Sequence, residues 1–246
     1  MTGTPIVFLN AFPVDRAQWE GLLSVLGSDV RGDVITFDMP GIGEMPLPDD
    51  EPSLELIADA AVLAMREATG EDKAHWIGCS MGGYVAMAVV ERHPDAVAGL
   101  GLIATKALAD TEEAAAKRRA LADAVEHRDS VEDAATMAEG LIGTEGARRE
   151  ELVEWVARNI ARHHGEGVAW GQRAMAERPD RTEVLRSVDG PAVVIAGEKD
   201  AVVPREAIDA MAEALGVEPV VIEGVGHLAA FEDPAAVARA LAPLLV

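Results

Sequence analysis

Six short segments of the chain consist mainly of β-branched and other aliphatic residues, with few polar positions inside them. They cover residues 5–9, 33–37, 74–78, 97–103, 192–196 and 218–222. A strand that is buried on both faces of a parallel sheet lacks the polar–apolar alternation of a half-exposed strand, because neither face meets water. The pattern therefore predicts about six buried parallel strands.

Helical patterns lie between these segments. They include residues 15–26, a helix capped by Ser53, residues 81–92, and a helix capped by Asp233 that begins at Pro234. Serine and aspartate suit the N-cap position, because their side-chain oxygens accept hydrogen bonds from the free N–H groups of the first turn. Strands that alternate with helices predict an α/β fold, with a mostly parallel sheet and helices on both faces.

The stretch from residue 106 to residue 188 breaks this alternation. It shows no convincing strand, only helical patterns rich in Ala, Glu and Arg at residues 111–127, 130–141, 147–164 and 167–178. A stretch of this length is far longer than an ordinary connection between two strands. We expect residues 1–105 and 189–246 to form the α/β core. Residues 106–188 are expected to form an all-helical lid over one edge of the sheet.

The clearest chemical signal is the sequence Gly78-Cys79-Ser80-Met81-Gly82, which matches the G-x-S-x-G pattern of a serine nucleophile. It lies between a predicted strand and a predicted helix. A nucleophile on such a sharp turn has a strained backbone, and nearby side chains would clash, so glycines flank it on both sides. The start of the helix directs its dipole towards negative charge that develops nearby. Ser80 is therefore the predicted nucleophile.

A serine hydroxyl is a weak nucleophile that needs a base, and the base needs an acid to orient it. Asp200 follows the strand predicted at residues 192–196, and His227 follows the last predicted strand. Open α/β sheets bind their ligands at the carboxyl ends of the strands, where all of these residues are expected. Ser80, Asp200 and His227 are therefore predicted to form a catalytic triad.

The carbonyl oxygen of a substrate needs hydrogen-bond donors when it becomes negatively charged. One predicted donor is the backbone N–H of Met81, directly after the nucleophile. The second is expected in the loop after the first strand, Asn10-Ala11-Phe12-Pro13, where we favour the N–H of Phe12. Loss of one such donor typically costs about 3 to 4 kcal/mol of transition-state stabilisation. This chemistry implies no cofactor and no metal ion.

Charge and composition restrict the possible partners. The 246-residue chain carries 43 acidic and 21 basic residues, a formal net charge of −22. Such a surface repels nucleic-acid phosphates and anionic membranes, so we expect a small-molecule substrate, no nucleic acid and no membrane. The single cysteine, Cys79, excludes an intramolecular disulfide. The N-terminal apolar run has no basic residue before it, which differs from a signal peptide and favours a cytoplasmic location.

Several segments together resemble the α/β-hydrolase superfamily, and within it the group of small esterases and 3-oxoadipate enol-lactonases. Besides the G-x-S-x-G segment, the matching segments are residues 8–13, 37–43, 109–114, 197–200 and 226–228. The order serine, aspartate, histidine along the chain is the one this fold uses. The resemblance implies a serine hydrolase that cleaves a carboxylic ester or lactone of a small molecule through an acyl-enzyme on Ser80. Asn10-Ala11 stands where many relatives have His-Gly, and an asparagine there is similar to lactonase-like members.

The sequence leaves alternatives open for the acid residue and for the reaction. Asp110 follows the fourth predicted strand and could replace Asp200 as the acid, while Asp200 could instead cap a helix that begins near Pro204. Cys79 is expected to be a packed side chain rather than a nucleophile. The same triad also serves perhydrolases, cofactor-free haloperoxidases, and C–C or thioester hydrolases, and a hydrolase scaffold can act as a ligand-binding receptor.

The predicted lid contains large apolar side chains that could line a substrate pocket. The candidates are Trp155, Trp170, Met137 and Met175. Packing within the lid accounts for these side chains equally well. The adjacent pair His163-His164 lacks carboxylates at a metal-binding spacing, so the sequence predicts no metal site there.

Overall fold

The centre of the computed structural model, which describes residues 3–27, 30–129, 131 and 136–245, is a sheet of six parallel strands. The strands are β1 (Ile6–Leu9), β2 (Val34–Phe37), β3 (Ala74–Cys79), β4 (Val97–Ile103), β5 (Ala192–Gly197) and β6 (Val220–Ile222). Their order across the sheet is β2-β1-β3-β4-β5-β6, and every pairing is parallel. The predicted sheet is confirmed, and the strand ends differ from the predicted ones by at most two residues.

Burial of the strands follows their position in the sheet. All four residues of β1, which pairs with a strand on each side, are at most 1% exposed. In β6, at one edge, Val220 and Val221 are 38% and 39% exposed, and Val34 at the start of β2 is 39% exposed. The two edge strands are therefore less buried than the pattern predicts, because an edge strand has a neighbour on one side only.

Helices cover both faces of the sheet and fill the long connection after β4. They are α1 (Glu20–Leu26), α2 (Leu54–Thr69), α3 (Met81–Arg92), α4 (Glu112–Val125), α5 (Ala138–Leu141), α6 (Ala147–Ala161), α7 (Gly165–Ala176), α8 (Thr182–Leu185), α9 (Arg205–Leu215), α10 (Ala229–Glu232) and α11 (Pro234–Leu241). Short 3₁₀ turns cover Arg16–Trp19, Pro94–Ala96 and Ala242–Leu244. No helix in the described part of the chain is both long and apolar enough to cross a membrane.

The predicted helix caps are present. The hydroxyl of Ser53 accepts a hydrogen bond from Leu56 N–H at 3.2 Å, and Asp233 Oδ1 accepts one from Ala236 N–H at 2.9 Å. The helix predicted over residues 15–26 is instead divided into a 3₁₀ turn and α1. Asp15 caps that turn, because its carboxylate accepts the N–H of Ala17.

Between β4 and β5 the described residues form five helices and no strand. Their bounds differ from the predicted ones. The helix predicted over residues 147–164 ends at Ala161, because His164 is the N-cap residue of the next helix, and that helix runs over Gly165–Ala176 instead of 167–178. Of the helix predicted over residues 130–141, Ala138–Leu141 is present, and residues 130 and 132–135 lie outside the described part. Residues 106–188 are called the helical insert below.

Buried polar contacts hold the helical insert against the rest of the fold. Its two ends meet, because the N–H of Arg181 donates to Ala107 O at 2.9 Å. The guanidinium of Arg181, only 2% exposed, pairs with Glu55 of α2 and Glu91 of α3. The hydrophobic core fills both faces of the sheet and continues into the insert.

Further contacts place the insert beside the carboxyl end of β1. Asn159 Nδ2 of α6 donates to Asp15 Oδ1 at 3.0 Å, and Asp15 N–H donates to Asn159 Oδ1 at 3.1 Å. Gly171 of α7 lies so close to Phe12 that an added Cβ would be 2.4 Å from the Phe12 ring. The insert therefore contacts the loop that follows the carboxyl end of β1.

Candidate active site

Ser80 lies on the sharp turn between β3 and α3, as the glycine pattern predicts. Its backbone has φ 53° and ψ −115°, a conformation that side-chain-bearing residues rarely adopt. A Cβ on Gly78 would lie 2.2 Å from Gly82 O, and a Cβ on Gly82 would lie 2.0 Å from Leu9 O. Both flanking positions therefore require glycine, because the first turn of α3 packs directly on β3 and on the end of β1.

The main chain of Ser80 is held by the end of β4. Ser80 N–H donates to Ile103 O at 2.9 Å, and the hydroxyl of Thr105 donates to Ser80 O at 2.7 Å. Thr105 is fully buried. These contacts stabilise the strained turn, since a residue in such a conformation persists only where its surroundings fix it.

His227 and Asp200 are in direct contact. His227 Nδ1 lies 3.1 Å from Asp200 Oδ1 and 3.0 Å from Asp200 Oδ2, and the two side chains are 2% and 4% exposed. Asp200 Oδ1 also accepts hydrogen bonds from Val202 N–H and Val203 N–H. A carboxylate only accepts, so the ring donates through Nδ1, which leaves Nε2 of a neutral imidazole as the basic nitrogen.

The loop that carries His227 lies beside the nucleophile turn. Cys79 Sγ, one residue before Ser80, is 3.8 Å from His227 O, within range of a weak S–H···O hydrogen bond. On its other side, His227 N–H donates to Leu141 O of the helical insert at 3.0 Å. The histidine loop is thus enclosed between β3 and the insert.

Asp110, the alternative acid, has a different environment. Its carboxylate accepts hydrogen bonds from Arg178 Nη2 at 2.7 Å and Arg118 Nε at 2.6 Å, and Lys106 Nζ lies 3.2 Å away. Burial alone would raise the pKa of Asp110, but the hydrogen bond from Arg178 and the charge of Arg118 outweigh it and hold that pKa well below its usual value. Asp110 is therefore part of an ion cluster. Asp200, by contrast, contacts the imidazole and is not the cap of α9, whose N-cap is Pro204.

The thiol of Cys79 is a poor nucleophile in this position. It is 1% exposed, and burial, together with the negative charge of Asp200, raises its pKa far above the ordinary value. The thiolate is the reactive form of cysteine. Cys79 is therefore a packed side chain rather than a second nucleophile.

The loop after β1 is fixed in place by buried amides. Ala11 N–H donates to Gln18 Oε1 at 3.0 Å, and Asn10 Nδ2 donates to Val14 O at 2.5 Å. Within the described residues, the N–H groups of Phe12 and Met81 have no hydrogen-bond acceptor in the chain. Because the first turn of α3 packs on Leu9 O, the loop that contains Phe12 begins beside the start of that helix.

Comparison with known proteins identifies the family. The profile of the α/β hydrolase fold family matches residues 4–234. The chain belongs to the α/β-hydrolase family. The superfamily resemblance predicted from the nucleophile turn and the later loops is thereby confirmed.

The relatives of this hydrolase include proteins named as esterases and lactonases. The chain is 34% identical to a thermophilic esterase from Thermogutta terrifontis, solved with malate bound, at a TM-score of 0.88, covering 98% of this chain and 89% of that one. It is 26% identical over 229 residues to 3-oxoadipate enol-lactonase 1 of Acinetobacter baylyi, covering 93% of this chain and 84% of that protein.

Another relative is longer than this hydrolase. The chain is 31% identical over 249 residues to the dihydrolipoyllysine-residue acetyltransferase component of the acetoin cleaving system of Pseudomonas putida. The match covers 94% of this chain but 60% of that protein, so the hydrolase corresponds to only part of its relative's length.

The pocket candidates of the hydrolase differ in their contacts. Trp155 packs against Phe231, with ring centroids 4.4 Å apart, and Trp170 Nε1 donates to Asp50 O at 3.1 Å. Met175 Sδ lies 3.5 Å from Arg118 Nη1, and Met137 is half-buried at the start of α5. Trp155 and Trp170 therefore connect the insert to the core, and lining of a pocket by these four residues stays a prediction.

Sequence reasoning missed several residues that support the site. Thr105, Gln18 and Glu232 are buried and hydrogen-bond to the turn of Ser80, the loop of Phe12 and the loop of His227, respectively. The one sequence signal for Glu232 is its place directly after the apolar residues Ala229-Ala230-Phe231, because an acid that packs with apolar neighbours is buried only where hydrogen-bond donors meet it.

Proposed function

We propose that the chain is a serine hydrolase that cleaves a carboxylic ester or lactone of a small molecule. The observation that carries this proposal is the contact between His227 Nδ1 and Asp200. The loop that carries His227 lies beside the turn on which Ser80 has a strained backbone. In this assignment Ser80 is the nucleophile, His227 is the base, and Asp200 orients the imidazole. The family match and the esterase and enol-lactonase relatives support the same chemistry.

In the proposed acylation step, Ser80 Oγ attacks the carbonyl carbon of the substrate while His227 Nε2 takes the hydroxyl proton. Asp200 stabilises the imidazolium that forms and keeps the ring in the tautomer that leaves Nε2 basic. The tetrahedral intermediate then collapses, and the leaving alkoxide takes the proton from His227. With a lactone, the released hydroxyl stays attached to the acyl group on Ser80.

In the proposed deacylation step, water attacks the acyl carbon of the ester on Ser80. His227 takes a proton from the water and returns it to Ser80 Oγ, which releases the carboxylic acid. The N–H groups of Met81 and Phe12, which have no acceptor within the described chain, are the proposed donors to the oxyanion in both steps. Loss of either donor would cost about 3 to 4 kcal/mol of transition-state stabilisation.

The helical insert is proposed to act as a lid that selects the substrate. Its helices α6 and α7 contact the loop after β1, and Leu141 contacts the histidine loop, so the insert borders the proposed site on two sides. An insert in this position limits which acyl and alcohol groups reach Ser80. The pocket residues remain Trp155, Trp170, Met137 and Met175 as predicted from the sequence.

The test uses purified protein with a panel of short p-nitrophenyl esters and small lactones. The wild-type chain is expected to hydrolyse members of this panel and to be labelled on Ser80 by a fluorophosphonate probe. Ser80→Ala should lower kcat by on the order of 10⁴-fold or more, because the acyl-enzyme cannot form, and it should abolish labelling. A circular dichroism spectrum like that of the wild type serves as the control for folding.

Cys79→Ala is the matched control variant, since it removes the thiol next to Ser80 and leaves the proposed triad intact. It should keep the probe label on residue 80. Ester turnover that survives Ser80→Ala, or a label that moves to another residue, would contradict the assignment.

A further inference from the structure

Glu232, at the end of α10, is a buried carboxylate without an ion-pair partner among the described residues. It is 1% exposed. Its Oε1 accepts Gly226 N–H at 2.8 Å, and its Oε2 accepts Gly143 N–H at 2.9 Å, Thr144 N–H at 2.7 Å and the Thr144 hydroxyl at 2.8 Å. A buried carboxylate is strongly unfavourable unless such donors surround it, so these four donors are what permit it to lie there.

The donors come from two segments that are far apart in the sequence. Gly226 directly precedes His227, whereas Gly143 and Thr144 belong to the helical insert. The insert also provides Leu141 O, which accepts the N–H of His227 at 3.0 Å. The main chain around His227 is therefore held by Glu232 on one side and by Leu141 on the other.

The two segments meet backbone to backbone. A Cβ added to Gly226 would lie 2.3 Å from Gly143 N, and one added to Gly143 would lie 2.5 Å from Gly226 N. The N–H groups of Gly226 and Gly143 at this contact both need an acceptor, because one N–H group cannot accept a hydrogen bond from the other. Glu232, with one oxygen directed to each segment, meets this need.

We propose that Glu232 is a positioning residue for His227, and that through it the helical insert supports the catalytic base as well as covering the site. This inference rests on the proposed function of Ser80, His227 and Asp200. If the main chain at Gly226 shifts, the imidazole moves relative to the Ser80 hydroxyl, and a misplacement of about 1 Å can cost on the order of 10²-fold in rate.

Glu232→Gln is the decisive variant. Glutamine has the same shape, but its NH₂ group must face either Gly226 N–H or the N–H groups of Gly143 and Thr144, so one set of contacts is lost. We expect kcat to fall by about 10- to 100-fold with KM changed by less than about threefold. The rate of fluorophosphonate labelling of Ser80 should fall by a similar factor.

Glu198→Gln is the matched control. Glu198 Oε2 accepts Gly224 N–H of the same loop at 2.8 Å, but Glu198 is exposed and the contact lies further from His227. This variant should keep kcat within about twofold of the wild type, as surface substitutions usually do.

Hydrogen–deuterium exchange gives a readout that does not depend on activity. In Glu232→Gln the amides of residues 224–228 and 141–146 should exchange faster than in the wild type, while those of β1 and β3 should not change. If Glu232→Gln does not fold, Thr144→Val provides the test, because it removes one of the four donors. Thr144→Val should lower kcat by about threefold or more at unchanged KM.

The outcomes separate this inference from the proposed function. If the wild type is not labelled on Ser80, the proposed function is wrong and this inference falls with it. If the wild type is labelled, and folded Glu232→Gln shows wild-type kcat and only a lower Tm, Glu232 is merely structural and only this inference is overturned. If Glu232→Gln fails to fold and Thr144→Val has the kcat of the wild type, this inference is overturned as well.

Discussion

Asp200 and Asp110 follow the carboxyl ends of two neighbouring strands, but their partners differ. Asp200 contacts the imidazole of His227, whereas Asp110 contacts three cationic side chains. Asp200→Asn should lower kcat by on the order of 10⁴-fold, because an amide cannot hold His227 in the required tautomer. Asp110→Asn should leave kcat nearly unchanged but lower the free energy of unfolding by about 3 kcal/mol, since Arg178 and Arg118 lose their counter-charge. Steady-state kinetics and urea unfolding of both variants measure these effects. The opposite pattern, with turnover lost only in Asp110→Asn, would make Asp110 the acid.

Candidate site residues that stand in a local sequence pattern could be proposed from the sequence. Ser80 stands in a glycine-flanked turn, and Asp200 and His227 follow apolar strands, so each has a local signal. Glu232 has almost none, because its role depends on Gly143, which lies 89 residues away in sequence and meets it only through the tertiary fold. Hydrogen bonds between distant segments are set by packing, and periodicity cannot show them.

The close contact between α3 and β1 depends on Gly82. An added Cβ there would lie 2.0 Å from Leu9 O and 2.9 Å from Asn10 O, both backbone atoms that cannot move without shifting the sheet. Gly82→Ala should therefore lower the free energy of unfolding by about 3 kcal/mol, at the upper end of the usual cost of overpacking. Chemical unfolding followed by circular dichroism measures the change.

Gly140 of α5 is the matched control for that substitution. It is exposed, and nothing lies within 4 Å of an added Cβ. Gly140→Ala should leave stability unchanged or raise it by up to about 1 kcal/mol, because alanine favours helix more than glycine does. Equal stability of the Gly82→Ala and Gly140→Ala variants would show that α3 does not pack on β1 at this point.

Elements with strong apolar patterns could be predicted closely, and elements defined by tertiary contacts could not. The predicted bounds of α3 and β4 match the observed bounds, because both are buried along most of their length. In the insert, the break between α6 and α7 falls at Arg162–His164, and α8 is a single short turn before Arg186. Packing contributes more than helix propensity to the stability of helices in a folded protein, so the sequence pattern does not show where these helices end.

At the scale of the whole molecule, acidic residues outnumber basic ones by about two to one. The formal net charge is −22. Exposed pairs such as Arg158–Glu154 and Arg205–Asp209 are present, but exposed pairs each contribute only about 0 to 1 kcal/mol. Even if every basic residue had an acidic partner, many carboxylates would remain without one. Repulsion among these carboxylates should therefore exceed the attraction of the surface pairs.

Added salt should therefore stabilise the folded protein. Raising NaCl from about 10 mM to about 150 mM shortens the Debye length from about 30 Å to about 8 Å, which screens repulsion between exposed carboxylates. Thermal unfolding at pH 7 should show a Tm that rises with salt, in NaCl and KCl alike. A Tm that falls with salt would mean that ion pairs, such as Asp110 with Arg178, dominate the electrostatic free energy.

Whether repulsion between exposed carboxylates causes this stabilisation by salt can be tested at the C-terminal end of α2. Glu67 lies in the last turn of α2, and Glu71 and Asp72 follow the end of that helix; all three are exposed, and the helix dipole disfavours negative charge there. The triple variant Glu67→Gln, Glu71→Gln, Asp72→Asn should raise the free energy of unfolding at low salt by about 1 kcal/mol. Its Tm should also rise less with salt than that of the wild type, because three of the repelling charges are gone. An unchanged salt response would place the repulsion elsewhere on the surface.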